Sequence, residues 1–284
     1  MAMKTVKFSK RDAPRASART LKAVRAAMAR DGAVVFDGLF PLPLLKKIRR
    51  EVLRRHESGE LRARGLVRDI AGRYAAVLPL QGPLLSPRLY ADPRLADCLS
   101  VLLGADYCLG SVEAVVARPG AVEQHQHIDG PIRFDRALRG RRIPYSGDLS
   151  DLPPYAVTLA TPLCEQGPDN GPTALWPGSH RAALRARPPS EAEVLRKFRG
   201  EVMTGPFGRS YLFDYRLFHG GLPNMTREPR VLLVIVFVRP WFRDPNLADV
   251  RPGLAIAPRA LARVPEKHRH LFRLAPAARR ALWA

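Results

Sequence analysis

The sequence predicts a mainly β protein, an antiparallel sandwich or barrel, with helices in its N-terminal part. After residue 105, strand-like runs recur between glycines, prolines and asparagines, which is the pattern of an antiparallel sandwich or barrel. The run 231–238 is apolar throughout and rich in β-branched residues, so a buried central strand fits it better than a helix. Before residue 104, apolar residues recur instead with helical spacing.

The first predicted helix covers the run TLKAVRAAMARDG. Its residues Leu21, Val24 and Met28 lie at i, i+3 and i+7, which places them on one helix face. We expect Thr20 to cap the start of this helix and Gly32 to end it. Two more helices are predicted in this part, over PLLKKIRREVLRRH and PRLADCLSVLLG, together with short strands over AVVFDGLF and RYAAVLPL.

The second part of the chain is predicted to hold the sheet. Its strand-like runs are YCLGSVEAVVARPG, VEQHQHID, YAVTLATPL, PTALWPG, SYLFDYRLFHGG and RVLLVIVFVRP. One helix interrupts them, where Ser190 and Glu193 form an S-x-x-E capping box. No repeat or linker divides the chain, so we expect one domain over 1–284, with helical support about 18–104, a β core about 105–242 and a C-terminal extension 243–284.

Composition excludes several classes of protein. No run of eighteen apolar residues occurs, so no membrane-spanning helix is predicted, and the basic N-terminus has no apolar segment behind it that would make a secretory signal. The cysteines are odd in number and lack C-x-x-C spacing, which favours a reducing, cytoplasmic location. They are Cys98, Cys108 and Cys164.

The formal net charge of +21 suggests a nucleic-acid partner at first sight. Of the 47 basic residues only 8 are Lys, however, and abundant Ala and Pro accompany the arginines, as a GC-rich genome would produce. No basic cluster interleaved with aromatics and no zinc-finger spacing occurs. A nucleic-acid partner is therefore unlikely on this sequence, whereas an anionic small substrate would suit a basic surface.

The run QHQHIDG at 124–130 indicates a metal site. His125, His127 and Asp129 alternate, which on a strand would point all three side chains to one face. His219, predicted to close the strand SYLFDYRLFH, comes 92 residues after His127 and is followed by two glycines. Two histidines and one carboxylate are the ligand set that binds Fe(II) on one face and leaves the opposite positions open.

Arg230 follows His219 by 11 residues, at the start of the apolar strand. This spacing allows one turn between adjacent antiparallel strands, so we expect Arg230 to face inward near the metal. A guanidinium there offers two parallel hydrogen bonds to a carboxylate.

Taken together, H-x-D at 127–129, DNGPTALWPGSH at 169–180 and LFHGGLPNMTREPRVLLVIVFVRPW at 217–241 resemble the phytanoyl-CoA dioxygenase family of Fe(II)- and 2-oxoglutarate-dependent oxygenases. The resemblance implies a double-stranded β-helix, a jelly-roll barrel with flanking helices. It implies iron on His127, Asp129 and His219, and Arg230 paired with the distal carboxylate of 2-oxoglutarate. It also selects His127 over His125, which becomes a candidate substrate contact.

Two positions depart from the family pattern. Many members carry a hydroxyl residue two positions after the second histidine, where this chain has Gly221, and an aromatic residue where it has Ala160. We expect Thr158 and Thr161 to supply the missing cosubstrate contacts.

The activity that the resemblance implies is hydroxylation, or another oxidation, of a C–H bond in a small-molecule metabolite, with O₂ consumed and succinate and CO₂ released. Asp129 argues against a halogenase, because related halogenases have a small residue there. Alternatives are a non-catalytic jelly-roll binding protein and an oxygenase acting on a nucleic acid or another anionic macromolecule. Demethylases of nucleic acids carry a second Arg six residues after the first, where this chain has Val236. No oligomeric state is predicted.

The segment 131–155 is long for a connection in a sandwich, and it begins directly after Asp129. Its arginines and aromatics suggest a lid over an anionic or polar substrate. The candidate substrate contacts are Arg133, Phe134 and Tyr145 in this segment, and His125 and Tyr74 outside it.

Overall fold

The computed structural model describes residues 3–8, 14–63, 67–70, 72–130, 152–184, 190–244 and 253–276. The strands within these ranges are β1 (Thr5–Lys7), β2 (Ala33–Asp37), β3 (Val67–Ile70), β4 (Arg73–Val77), β5 (Cys108–Ala117), β6 (Ala156–Pro162), β7 (Thr173–Leu175), β8 (Glu201–Val202), β9 (Ser210–Asp214), β10 (His219–Gly221) and β11 (Arg230–Val238). The α-helices are α1 (Ala18–Asp31), α2 (Leu42–Glu57), α3 (Glu60–Ala63), α4 (Pro87–Tyr90), α5 (Pro93–Leu103), α6 (Glu191–Lys197) and α7 (Pro258–Leu261).

The strands form two sheets. The major sheet has the order β1-β2-β9-β6-β11-β5-β4-β3, and the minor sheet has the order β10-β7-β8. All pairs are antiparallel except β1 with β2. Strand β11 lies between β6 and β5, so the prediction of a buried central strand over 231–238 is confirmed.

The two faces of the major sheet serve different purposes, because side chains alternate along a strand. On β11, Leu233 and Ile235 join the large apolar core that the N-terminal helices cover. Leu232 and Val234 point to the opposite face, which lines a cavity together with the minor sheet. The helices therefore cover one face of the major sheet, and the other face lines the cavity.

The N-cap of the first helix lies three residues earlier than predicted. Ser17, rather than Thr20, is the N-cap residue of α1, and its side chain accepts a hydrogen bond from the backbone N–H of Thr20. Gly32 ends the helix as predicted, with a left-handed φ of 73°. The ring of His180 lies so close that a Cβ at Gly32 would be 2.5 Å from its Nδ1. The capping box of Ser190 and Glu193 is also confirmed.

Two predicted strands are wrong. The run VEQHQHID is extended loop, in which a single isolated bridge pairs His127 with His219. The run SYLFDYRLFH is interrupted: β9 ends at Asp214, a turn follows over 215–218, and His219 begins β10 in the other sheet. The turn is favoured because Asp214 accepts hydrogen bonds from both the backbone and the guanidinium of Arg216.

The segment 18–104, predicted as helical support, also contributes strands β2 to β4 to the major sheet, and β1 precedes it. Among the described residues, none of the helices combines the length and the apolar character needed to cross a lipid bilayer.

Candidate metal centre

The fold brings His127, Asp129 and His219 together, as the sequence predicted. One candidate ligand atom from each lies within 4.8 Å of the others. His127 and His219 exchange two backbone hydrogen bonds of 2.9 Å, which holds their ring centroids 4.4 Å apart. A loop and the first residue of β10 therefore supply the candidate ligands.

The orientation of both imidazoles is set by the backbone. The Nδ1 of His127 is 2.9 Å from the carbonyl oxygen of His125, and the Nδ1 of His219 is 3.0 Å from that of Leu217. A carbonyl oxygen only accepts, so each Nδ1 carries the hydrogen and donates it. The lone pair of each Nε2 is then available for a metal ion.

Asp129 is held by two further contacts. Its backbone N–H donates to the carbonyl oxygen of Tyr215 at 3.1 Å, and Thr158 Oγ1 donates to its Oδ2 at 2.9 Å. Burial alone would raise the pKa of Asp129, but the neighbouring histidines and Thr158 lower it below its usual value. The carboxylate is therefore ionised and fixed in orientation.

The pKa values of the two histidines shift in opposite directions. Burial, and then the proximity of His219, lowers the pKa of His127 to about 4. Burial also acts to lower the pKa of His219, but Asp129, with its Oδ1 3.4 Å from the Nε2, raises it above its usual value. A metal ion at this place would compete with a proton for the Nε2 of His219.

The three side chains line a cavity of about 260 Å³ between the two sheets. Other residues of its wall that carry polar groups are Arg73, Glu113, His125, Thr158, Tyr215 and Arg230. The mixture of basic and acidic groups contrasts with the strongly basic composition of the whole chain.

Arg230 faces this cavity from the major sheet and is only 2% exposed. Its Nε and Nη2 donate to the carbonyl oxygen of Gly171 at 2.9 and 2.6 Å. Its Nη1 is buried and has no hydrogen-bond partner in the described part of the chain. The expectation that Arg230 and His219 lie on adjacent strands is wrong, because β10 and β11 belong to different sheets and meet across the cavity.

Two expected contacts differ from the prediction in where their side chains point. Thr161 points away from the cavity, since it is three positions from Thr158 on β6, and its hydroxyl lies 2.9 Å from Ser210 Oγ. Tyr74 is one of the residues that line the cavity, but its ring packs in the core on the helix side of the sheet, where its hydroxyl contacts His56. His56 is half-buried and stacks on that ring.

His125 is exposed at the rim of the cavity, with its ring 5.4 Å from that of His127. Arg133, Phe134 and Tyr145 lie outside the described residues, as does most of the proposed lid, so these expectations stay predictions. His180, the last residue of the run DNGPTALWPGSH, is buried and lies outside the group of candidate ligands.

Sequence reasoning missed Glu113, and it named Tyr74 rather than its neighbour Arg73 as a site residue. Both charged residues lie on strands with apolar neighbours. In RYAAV, the side chains of Arg73 and Ala75 share the cavity face, whereas the ring of Tyr74 packs on the other face of the strand. Glu113 is the lone charge within the apolar run of β5.

Comparisons with known proteins agree with this geometry. The family model described as phytanoyl-CoA dioxygenase (PhyH) matches residues 28–232. The ectoine dioxygenase of Sphingopyxis alaskensis is 27% identical over 205 residues, which are 57% of this chain and 61% of that protein. The ectoine dioxygenase of Halomonas elongata is 26% identical over 257 residues, covering 81% of this chain and 74% of that protein.

Solved structures confirm the fold class. EctD from S. alaskensis, with 2-oxoglutarate and 5-hydroxyectoine, has a TM-score of 0.60 at 23% identity and covers 88% of this chain and 91% of its own. The α-ketoglutarate-dependent epimerase SnoN from nogalamycin biosynthesis has a TM-score of 0.56 at 18% identity, covering 82% of this chain and 89% of its own. The two sheets therefore form a jelly-roll of this type.

Proposed function

This chain belongs to the phytanoyl-CoA dioxygenase family, and we propose from that membership that it is an Fe(II)- and 2-oxoglutarate-dependent dioxygenase. It oxidises a C–H bond of a small-molecule metabolite and releases succinate and CO₂. One observation carries this proposal: two Nε2 atoms and one carboxylate converge in a cavity that also holds a buried arginine with an unused N–H.

The donor set fits iron. Two imidazoles and one carboxylate are the ligand set that holds non-haem Fe(II) and leaves further coordination positions open, and no cysteine belongs to the described cluster. When bound, Fe(II) supplies the redox chemistry that couples decarboxylation of the 2-oxo acid to oxidation of the substrate. His127, Asp129 and His219 are the proposed ligands.

The remaining residues orient the ligands and the cosubstrate. The carbonyl oxygens of His125 and Leu217 hold the imidazoles in the required tautomer, and Thr158 orients the carboxylate of Asp129. Arg230 pairs with the distal carboxylate of 2-oxoglutarate, for which its buried Nη1 is available. Burial of this arginine in an apolar wall strengthens the ion pair and excludes water from it.

The substrate is a small polar molecule. Glu113 and Asp244 line the cavity, and Tyr215 donates a hydrogen bond to Asp244 at 2.7 Å. These acidic groups favour a substrate with a cationic or hydrogen-bond-donating part. The anionic part suggested by the sequence rests on arginines in 133–142 and stays a prediction. Ectoine is the first compound to test, because the relatives above are named for it.

The test is reconstitution of the anaerobically purified protein with Fe(II) and 2-oxoglutarate, followed by exposure to air with ectoine and with pooled polar metabolites. We expect succinate and an oxidised product identified by its mass, and neither with His219→Ala. Binding of a metabolite without any succinate would favour the non-catalytic binding protein instead. Succinate formation that depends only on added nucleic acid would favour the macromolecular alternative.

A further inference from the structure

A second concave surface lies apart from the candidate metal centre. It is a groove of about 410 Å³ between α1, the end of α5 and the segment 152–154, and it shares no described lining residue with the cavity around His219. Its volume exceeds the 260 Å³ of that cavity and lies within the range of ligand pockets, roughly 300–1,000 Å³. The groove is therefore large enough to hold a small organic molecule.

The polar part of the groove wall is mostly basic. Its arginines are Arg25, Arg181, Arg216 and Arg239, and its one carboxylate among the described lining residues is Asp214. Both oxygens of Asp214 accept hydrogen bonds from Arg216, so these two charges cancel. The other three arginines form no ion pair within the described ranges. A surplus of three positive charges therefore surrounds one groove.

The backbone fixes the position of one of these charges. Arg239 is half-buried, and it donates from Nε to the carbonyl oxygen of Pro154 at 2.9 Å and from Nη2 to that of Leu102 at 3.2 Å. Its Nη1 takes part in neither of these hydrogen bonds. A guanidinium held in this way loses little conformational freedom when a ligand binds. Arg25 and Arg181 are exposed, so their side chains can adjust to a bound molecule.

The rest of the groove wall is apolar or uncharged. Met28 and Val101 contribute apolar side chains from α1 and α5, and Pro153 and Pro154 contribute rings that restrict the backbone. Burial lowers the pKa of His180 to about 4, so its imidazole is neutral and leaves the charge of the groove unchanged. A fitting ligand would therefore combine an anionic group with an apolar or planar part.

We propose that this groove binds a phosphate ester, whose phosphate pairs with the guanidiniums of Arg25, Arg181 and Arg239. A phosphate monoester carries a charge of about −1.5 to −2 near pH 7 and three acceptor oxygens, so it can bond several guanidiniums together. A single carboxylate carries one charge and two oxygens and would leave most of the positive surplus without a partner. The inference goes beyond the proposed function and does not depend on it.

The competing explanation is that these arginines are only solvated charges in an arginine-rich chain. Arg19 separates the two explanations, because it lies on α1 like Arg25 and is also exposed, but it does not line the groove. Arg25→Ala and Arg19→Ala remove the same charge from the same helix. A binding site in the groove requires an effect of Arg25→Ala alone, whereas general attraction of anions to a basic surface predicts similar effects of both variants.

Calorimetry on the full-length protein at one ionic strength measures the binding of AMP, of adenosine and of inorganic pyrophosphate. We expect one AMP or one pyrophosphate per chain and no binding of adenosine, which lacks the phosphate. Arg25→Ala and Arg181→Ala should each raise the Kd of AMP about 5- to 10-fold, as for loss of one hydrogen bond to a charged group. Arg19→Ala should leave this Kd unchanged. All three arginines are exposed, so each variant is expected to fold, which its Tm checks.

Citrate tests the chemical class of the anion, because its negative charge comes from three carboxylates. It should bind more weakly than AMP, and tighter binding of citrate would contradict a phosphate site. Three further outcomes would refute the proposal. Neither AMP nor pyrophosphate binds at millimolar concentration, or Arg19→Ala weakens AMP as much as Arg25→Ala does, or AMP binds with the same Kd in Arg25→Ala and Arg181→Ala as in the wild type.

Discussion

At His127 and His219, a backbone carbonyl two residues earlier in the chain fixes one ring nitrogen, and the other nitrogen faces the cavity. This arrangement depends on local backbone shape rather than on other side chains. Asp129 depends instead on Thr158, which comes from the major sheet. The proposed ligands are therefore oriented before any metal ion binds, so each should contribute directly to its affinity.

We predict that His127→Ala and His219→Ala each abolish both metal retention and turnover, because two remaining ligands do not hold Fe(II) against chelation. Metal content per chain, measured by mass spectrometry after desalting, checks this together with succinate formation. His270→Ala, at an exposed histidine far along the chain, is the control and should retain one Fe(II). Unchanged activity of His219→Ala would show that the ligand assignment is wrong.

Arg230→Lys should raise the KM for 2-oxoglutarate by about 10-fold or more, with little effect on metal binding. An ammonium group carries the charge but cannot bond Gly171 and the carboxylate in the fixed fork of a guanidinium. Steady-state kinetics with varied 2-oxoglutarate, beside metal content, measure the two effects separately. Cosubstrate dependence equal to that of the wild type would contradict the assignment of Arg230.

At the scale of single elements, the turn over 215–218 determines where His219 lies. It carries the chain from β9 in the major sheet to β10 in the minor sheet. Asp214 and Arg216 form a buried ion pair at its start, with Nη2 and Oδ2 2.6 Å apart and exposures of 2% and 1%. Arg216 also donates to the carbonyl oxygen of Leu152. The turn is therefore stabilised by the ion pair at its start and by the hydrogen bond from Arg216 to the segment at Leu152.

Asp214→Ala should lower the free energy of unfolding by about 3–5 kcal/mol, because it leaves the guanidinium of Arg216 buried without its carboxylate. Denaturant unfolding of the full-length protein measures the loss. Arg30→Ala removes a surface ion pair with Asp31 and should cost at most about 1 kcal/mol. A loss at Asp214 no larger than at Arg30 would show that the turn is held by other contacts.

At the scale of the whole molecule, the proposed site joins the two sheets. His219 belongs to the minor sheet, Arg230 to the major sheet, and Asp129 to a loop that contacts both. A metal ion with 2-oxoglutarate would bridge these parts in the folded state and would have no equivalent site in the unfolded chain. Ligand binding should therefore stabilise the entire jelly-roll.

Mn(II) and 2-oxoglutarate together should raise the Tm by several degrees, since a free ligand concentration about 100 times its Kd adds about 2.7 kcal/mol. Differential scanning calorimetry checks this. In His219→Ala the same additions should leave the Tm unchanged. An equal rise in that variant would mean that the ligands act elsewhere on the protein.

The sequence alone determined most elements and the identity of the candidate ligands. Apolar periodicity predicts α1, α2, α5 and β11, because the pattern within one element depends only on which face is buried. The H-x-D motif, His219 and Arg230 were candidates from residue types and spacing, and the resemblance to the family selected His127 over His125 and gave Arg230 its role. Gly221 and Ala160 were recognisable as departures from the family pattern. The side chain that fills the space beside Gly221 could not be recognised from the sequence.

Tertiary structure decided which chain segments meet and which faces they present. The loop at His125 and His127, the break between β9 and β10, and the placement of β10 and β11 in different sheets depend on pairing between residues far apart in the chain. Arg73 shows the reason most clearly: it lies 148 positions before Gly221, yet its guanidinium fills the space beside that glycine. No local pattern encodes such a contact, because it arises only when two sheets close on one cavity.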